Sequence, residues 1–84
     1  KVPEAGEALA RAVVGAVAKL RTLDLKKAPS ISETLDWARA LAILNADRLA
    51  PELLDETLNL VLKYEADVAR ARERRGEILA AAQV

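Results

Sequence analysis

The residues best placed to do chemistry lie in one short stretch, Lys26-Lys27-Ala28-Pro29-Ser30-Ile31-Ser32-Glu33, where two cations and two hydroxyls lead to a carboxylate. Ser30 and Glu33 have the spacing of a capping box: the serine oxygen accepts from the amide of Glu33, and the glutamate reaches back to the amide of Ser30. A second group is the run of arginines at Arg70, Arg72, Arg74 and Arg75. It can dock an acidic partner or a neighbouring subunit through Arg70, Arg74 and Arg75. It can equally be a solvated face on which Asp67 and Arg70, Arg70 and Glu73, and Arg74 and Glu77 make weak surface pairs three residues apart. Trp37 reads as a core anchor, and its indole N–H needs an acceptor once buried.

Other chemistry is excluded by what the chain lacks. With no cysteine and no histidine there is no disulfide, no thiolate or imidazole metal ligand, and no Ser-His-Asp or Cys-His triad. Asp55 and Glu56 are adjacent and point apart on a helix, so they are poor candidates for a two-carboxylate site. Gly6, Gly15 and Gly76 are too scattered to build a G-x-x-x-x-G-K-[ST] loop, and no apolar strand ends in acidic residues that would hold magnesium. The chain is therefore expected not to be an enzyme on its own.

The 13 basic and 13 acidic residues cancel, so no net field draws the chain to nucleic acid or to an acidic membrane. No apolar run approaches the roughly 20 residues that span a bilayer, and no secretory signal opens the sequence. A cytoplasmic setting is the expectation. At 84 residues the chain reads as one domain with a narrow stability margin; its start at Lys1 reads as a fragment of something longer.

The elements that must position these residues are helical. Leu9, Val13, Val17 and Leu20 recur at spacings of four, four and three, with Ala10 and Ala16 beside them, which predicts a first helix from Glu4 to about Thr22. Pro3 suits its first turn. Gly15, in mid-helix, costs about 1 kcal/mol relative to alanine and points to close approach by another backbone. A second helix runs from Ile31 to about Leu44, with Leu35, Ala38, Leu41 and Ala42 on one stripe, widened by Trp37 and Leu44, so that two faces are apolar. Asn45 is the expected stop, and Pro51 opens a third helix to about Lys63, with Leu54, Leu58, Val61 and Leu62 inward and Leu53 and Thr57 in support. The fourth, from Glu65 to Ala82, carries a thin seam of Val68, Ala71, Ile78 and Leu79. The predicted fold is all-α: a small antiparallel bundle of four helices.

The run Ala28-Pro29-Ser30-Ile31-Ser32-Glu33-Thr34-Leu35-Asp36-Trp37-Ala38-Arg39-Ala40-Leu41, followed downstream by Leu58 to Tyr64, resembles the C-terminal lid of a MoxR-type AAA+ ATPase. The resemblance spans roughly half the chain, in family order. It implies that residues 1–84 are a helical lid joined to a P-loop domain of the same protein. In that family the lid covers ATP and magnesium and relays the nucleotide state to neighbouring AAA+ subunits of a chaperone-like remodelling ring, paired with a von Willebrand factor A protein. Many relatives place a phosphate-reaching arginine on the first turn of the lid helix, and the matching position here is Ser32. A serine has neither the charge nor the donor fork of arginine. What is left near the nucleotide is the helix N-terminus, the hydroxyls of Ser30 and Ser32, and Lys26 and Lys27.

Two other classes compete. In a DNA-binding helix-turn-helix the third helix would be the reader, but it opens with Glu52, Asp55 and Glu56, which phosphates repel. A free-standing helical adaptor for a partner helix is excluded by nothing in the sequence.

Overall fold

A computed structural model describes residues 4–44, 46 and 48–82. The expected helix-start Pro3 and helix-stop Asn45 lie outside them. Among the described residues there are five helices and no strand: α1 Glu4–Leu20, α2 Ile31–Ile43, α3 Pro51–Val61, α4 Glu65–Glu73 and α5 Arg75–Ala82. Neighbours in sequence pack against each other, and α1 closes the arrangement by packing most extensively on α5.

Local chemistry sets the starts. Ser30 is extended (φ −82°, ψ 172°) and closes its capping box with Glu33, and Pro51 occupies the first turn of α3, where a missing N–H costs nothing. The first and third helices bury the stripes their spacing predicts: Leu9, Val13, Ala16, Val17 and Leu20 from α1, and Leu54, Thr57, Leu58 and Val61 from α3. Leu62 is buried too, just past the end of α3.

The second helix buries only part of the expected stripe, with Ala38 packed against the core beside Trp37 and Leu41. Trp37 and Leu41, four residues apart, are fully buried, while Leu35, Ala42 and Leu44 are exposed. The indole fixes this rotation: Trp37 Nε1 donates to Thr57 Oγ1 of α3 at 2.7 Å, and that hydroxyl donates to the Leu53 carbonyl at 2.6 Å. A face centred on Trp37 and Leu41 leaves Leu35 on the opposite side at 100° per residue.

The expected fourth helix is divided at Arg74, whose φ of −108° and ψ of 21° depart from helical geometry. Its N–H bonds back to Ala71 O at 3.1 Å and Arg70 O at 3.3 Å, and its own carbonyl accepts from Glu77 and Ile78 at 3.0 and 3.1 Å. One residue thus ends α4 and starts α5. The six residues between Ala71 and Ile78 are charged or glycine and bury nothing, so no packing resists a bend there. The bend lets α4 bury Val68 and Ala71 beside α3 while α5 buries Ile78 and Ala82 beside α1.

Gly15 sits where α5 crosses α1. A Cβ there would collide with the carbonyl oxygen of Ala81 and lie 3.1 Å from its carbonyl carbon and 3.3 Å from Ala82 Cα. Close backbone approach is the reason for glycine, as its mid-helix position predicted.

Candidate functional site

The start of α2 forms a small polar centre built from three parts of the chain. Locally, Glu33 N donates to Ser30 Oγ at 3.1 Å, Ser30 N donates to Glu33 Oε1 at 2.9 Å, and the Thr34 hydroxyl donates to the Ser30 carbonyl at 2.7 Å. From the preceding loop, Lys27 Nζ reaches Glu33 Oε2 at 3.3 Å. From the segment after α3, Lys63 Nζ lies 3.6 Å from the same oxygen. Beside them, Lys26 Nζ stands 5.7 Å from the centroid of the Tyr64 ring, a cation–π distance.

The loop carrying Lys26 and Lys27 is fixed to α4. The buried carboxylate of Asp67 accepts from the amides of Lys26 at 2.9 Å and Lys27 at 3.1 Å, and Arg70 Nε donates to the Leu23 carbonyl at 2.5 Å. Asp24 takes the left-handed conformation (φ 57°), which an aspartate tolerates better than most residues. Arg21 Nη2 donates to the Pro29 carbonyl at 3.3 Å. Both ends of the loop are therefore held, and the two lysines project from a defined backbone.

Glu33 dominates the electrostatics. Its carboxyl is held down at about 2, against an ordinary value of 4.5, chiefly by the Ser30 N–H; partial desolvation opposes the shift and Lys27 adds to it. Ionised at any physiological pH, this carboxylate takes the place at the helix N-terminus that an external anion would otherwise take, together with the ammonium groups of Lys27 and Lys63. Ser30 is committed to the cap. Ser32 is exposed, and its hydroxyl makes no hydrogen bond to any described residue. Of the residues expected near a nucleotide, Ser30, Ser32 and Lys27 come together on one end of the molecule. Lys63 and Tyr64 join them, which their distance along the chain concealed.

The arginines are spread over separate partners. Arg70 binds the Leu23 carbonyl, Arg72 Nη2 donates to the Asp55 carbonyl at 3.2 Å, Arg74 pairs with Glu77 at 2.8 Å, and Arg75 Nε lies 3.1 Å from Asp55 Oδ1. The last contact is an ion pair without hydrogen-bond alignment, since that buried oxygen has no hydrogen-bond partner among the described residues. Glu77 also meets Lys19 of α1 at 3.1 Å, and Arg74 and Lys19 hold its carboxyl below the usual range. Of the three expected surface pairs only Arg74 with Glu77 forms. Asp67 is drawn to the loop amides, and Arg70 to Leu23.

No cluster of three or more aspartates or glutamates able to hold a metal ion occurs among the described residues. No helix among them is long and apolar enough to cross a membrane. Toward an external anion the arrangement offers the Ser32 hydroxyl, and the Lys27 and Lys63 ammonium groups only in exchange for the Glu33 carboxylate. Comparison of the chain with protein-family models, with curated proteins and with solved structures finds no match.

Proposed function

We propose that this chain is the C-terminal lid of a MoxR-like AAA+ ATPase, covering the nucleotide and relaying its state to neighbouring subunits of a chaperone-like remodelling complex. The observation that carries the reading is the meeting of the two halves of the resemblance. Glu33 from the first half pairs with Lys63 from the second at 3.6 Å at the start of α2, and Lys26, just ahead of the first half, stands over the Tyr64 ring. In this reading α4 and α5 are one bent helix and the domain is an antiparallel four-helix bundle of the lid type.

ATP and magnesium would be held by the P-loop domain of the same protein, and the ring would work in the cytoplasm with a von Willebrand factor A protein. The lid would contribute Ser30, Ser32 and Lys27 near the phosphates. Lys27 reaches a phosphate only by exchanging the Glu33 carboxylate for it, so the contact is intrinsically weak. Ser32, in place of the arginine of many relatives, adds no charge. A strong cation then comes from another subunit or domain, while Arg70, Arg74 and Arg75, exposed yet each with a partner inside the chain, would face the neighbours.

The first test reads the coding frame upstream of Lys1. A frame running into a domain with a G-x-x-x-x-G-K-[ST] loop supports the lid; a start codon immediately before Lys1 overturns it. In the assembled enzyme, Ser32→Ala leaves ATP turnover within a few-fold. A loss of two orders of magnitude or more would refute a lid that closes mainly by packing.

One observation favours the second reading, a free-standing adaptor that binds a partner helix. Val14, Ile31 and Leu35 are 63%, 75% and 56% exposed around an apolar groove between α1 and α2. A start codon immediately before Lys1 would leave this reading in place.

A further inference from the structure

On the outer side of α1, Ala10, Val14 and Ala18 recur every four residues, and all three are exposed. A shallow apolar pocket lies on each side of Val14. One, toward α2, is bordered by Ala18, Arg21, Ile31 and Leu35. The other, toward α5, is lined by Ala10, Arg11, Gly15 and Ala81. The first has two branched side chains standing up at its rim, and the second is floored by the smallest residues in the chain.

The charges on this face are self-complementary. Glu7 and Arg21 stand seven residues to either side of Val14, about 10 Å each way along the axis at 1.5 Å per residue. A two-fold axis through Val14 that sets α1 antiparallel to its counterpart in a second copy places Val14 on Val14, Ala10 opposite Ala18, and Glu7 opposite Arg21 at both ends. The alanines allow the helices to approach closely. The same operation keeps the α2 side of one copy beside the α2 side of the other, so the two Ile31–Leu35 rims flank one edge of the contact and the two hollows beside Gly15 and Ala81 flank the other. Glu7 already lies 3.9 Å from Arg11 of its own chain, so in the pair it joins two guanidinium groups. With no net charge on the chain, no overall repulsion opposes the pairing.

The geometry points to self-association: two copies of this chain pair through an antiparallel α1–α1 contact centred on Val14. None of the features on which the lid reading rests enters this inference, so either can fail alone.

Sedimentation velocity of the 84-residue chain across a wide concentration range tests it. The expected result is a reversible shift from the 9.1 kDa chain to a particle of twice that mass. Val14→Glu brings two carboxylates together at the axis and raises the dissociation constant roughly tenfold or more, with helicity by circular dichroism unchanged because Val14 is exposed. Glu7→Arg and Arg21→Glu each weaken the pair, and the two together restore it. Recovery in the double variant would not follow from a merely structural role of Arg21 at Pro29. A single-chain mass at every concentration overturns the proposal, as does a dimer indifferent to Val14→Glu or a double variant no better than its parents.

Discussion

Trp37 and Thr57 are locked together in a chain of two hydrogen bonds: the indole N–H donates to the threonine hydroxyl, which donates in turn to the Leu53 carbonyl of its own helix. Both side chains are buried, Trp37 completely. Every polar atom of the pair is satisfied, and the bond sets which face of α2 meets the core. Thr57→Val keeps the shape but leaves the indole N–H without an acceptor, at a cost of about 1–3 kcal/mol. Thr57→Ser restores most of the loss. Urea denaturation followed by tryptophan fluorescence measures both, and a valine variant as stable as the parent would mean that the indole finds another acceptor.

Gly15 and Gly76 respond to alanine with opposite signs. At Gly15 the added methyl meets the Ala81 backbone, which cannot yield without moving α5. Overpacking of about 1–3 kcal/mol then outweighs the helix-propensity gain of about 1 kcal/mol. At Gly76 a Cβ meets nothing within 4 Å and the glycine has no positive φ, so alanine there stabilises by about 0.5–1 kcal/mol. Thermal melts of the two variants should move to opposite sides of the parent.

Features decided within a few residues were legible in the sequence. The Ser30 cap, the Pro51 start, the buried stripes of α1 and α3 and the close contact at Gly15 all rest on local rules of spacing and stereochemistry. Features decided by a partner far along the chain were not. The bend at Arg74 exists because α5 must meet α1, which a count of periodicity within α4 and α5 does not register. Trp37 read as a core anchor, but the outward turn of Leu35 follows from the Thr57 bond, twenty residues from Trp37. At the candidate site, Ser30, Glu33 and Lys27 could be grouped from spacing, but Lys63 could not. Asp67 read as a surface partner of Arg70, and its true partners are amides 40 and 41 positions earlier.

Asp67 is the tie that holds the Lys26–Lys27 loop, because one carboxylate receives two backbone amides that have no substitute among the neighbouring groups. Asp67→Ala removes both acceptors and costs about 3 kcal/mol, at the scale of hydrogen bonds to a charged group. Asp67→Asn keeps one acceptor oxygen and falls between the two. Limited proteolysis between Leu23 and Pro29 should accelerate in the same order. Cleavage at the parent rate in Asp67→Ala would show that Arg70 and Arg21 suffice to hold the loop.

Glu33 gives the domain a defined acid sensitivity. Its folded-state pKa of about 2 lies below the ordinary 4.5, so folding favours the ionised form. The stability this contributes is present in full above the unfolded value and is lost as pH falls from about 4.5 toward about 2. Glu33→Gln removes the titration, so the variant is less stable than the parent at neutral pH and the difference between them closes across that window. Salt should shrink the difference only in part, since the pairs with Lys27 and Lys63 are screened while the bond from the Ser30 amide is local. Urea midpoints at a series of pH values, with and without salt, read both effects. Parallel profiles for parent and variant down to pH 2 would mean that Glu33 is not held at the helix start in solution, and the Lys27 ammonium would then be open to an external anion without exchange.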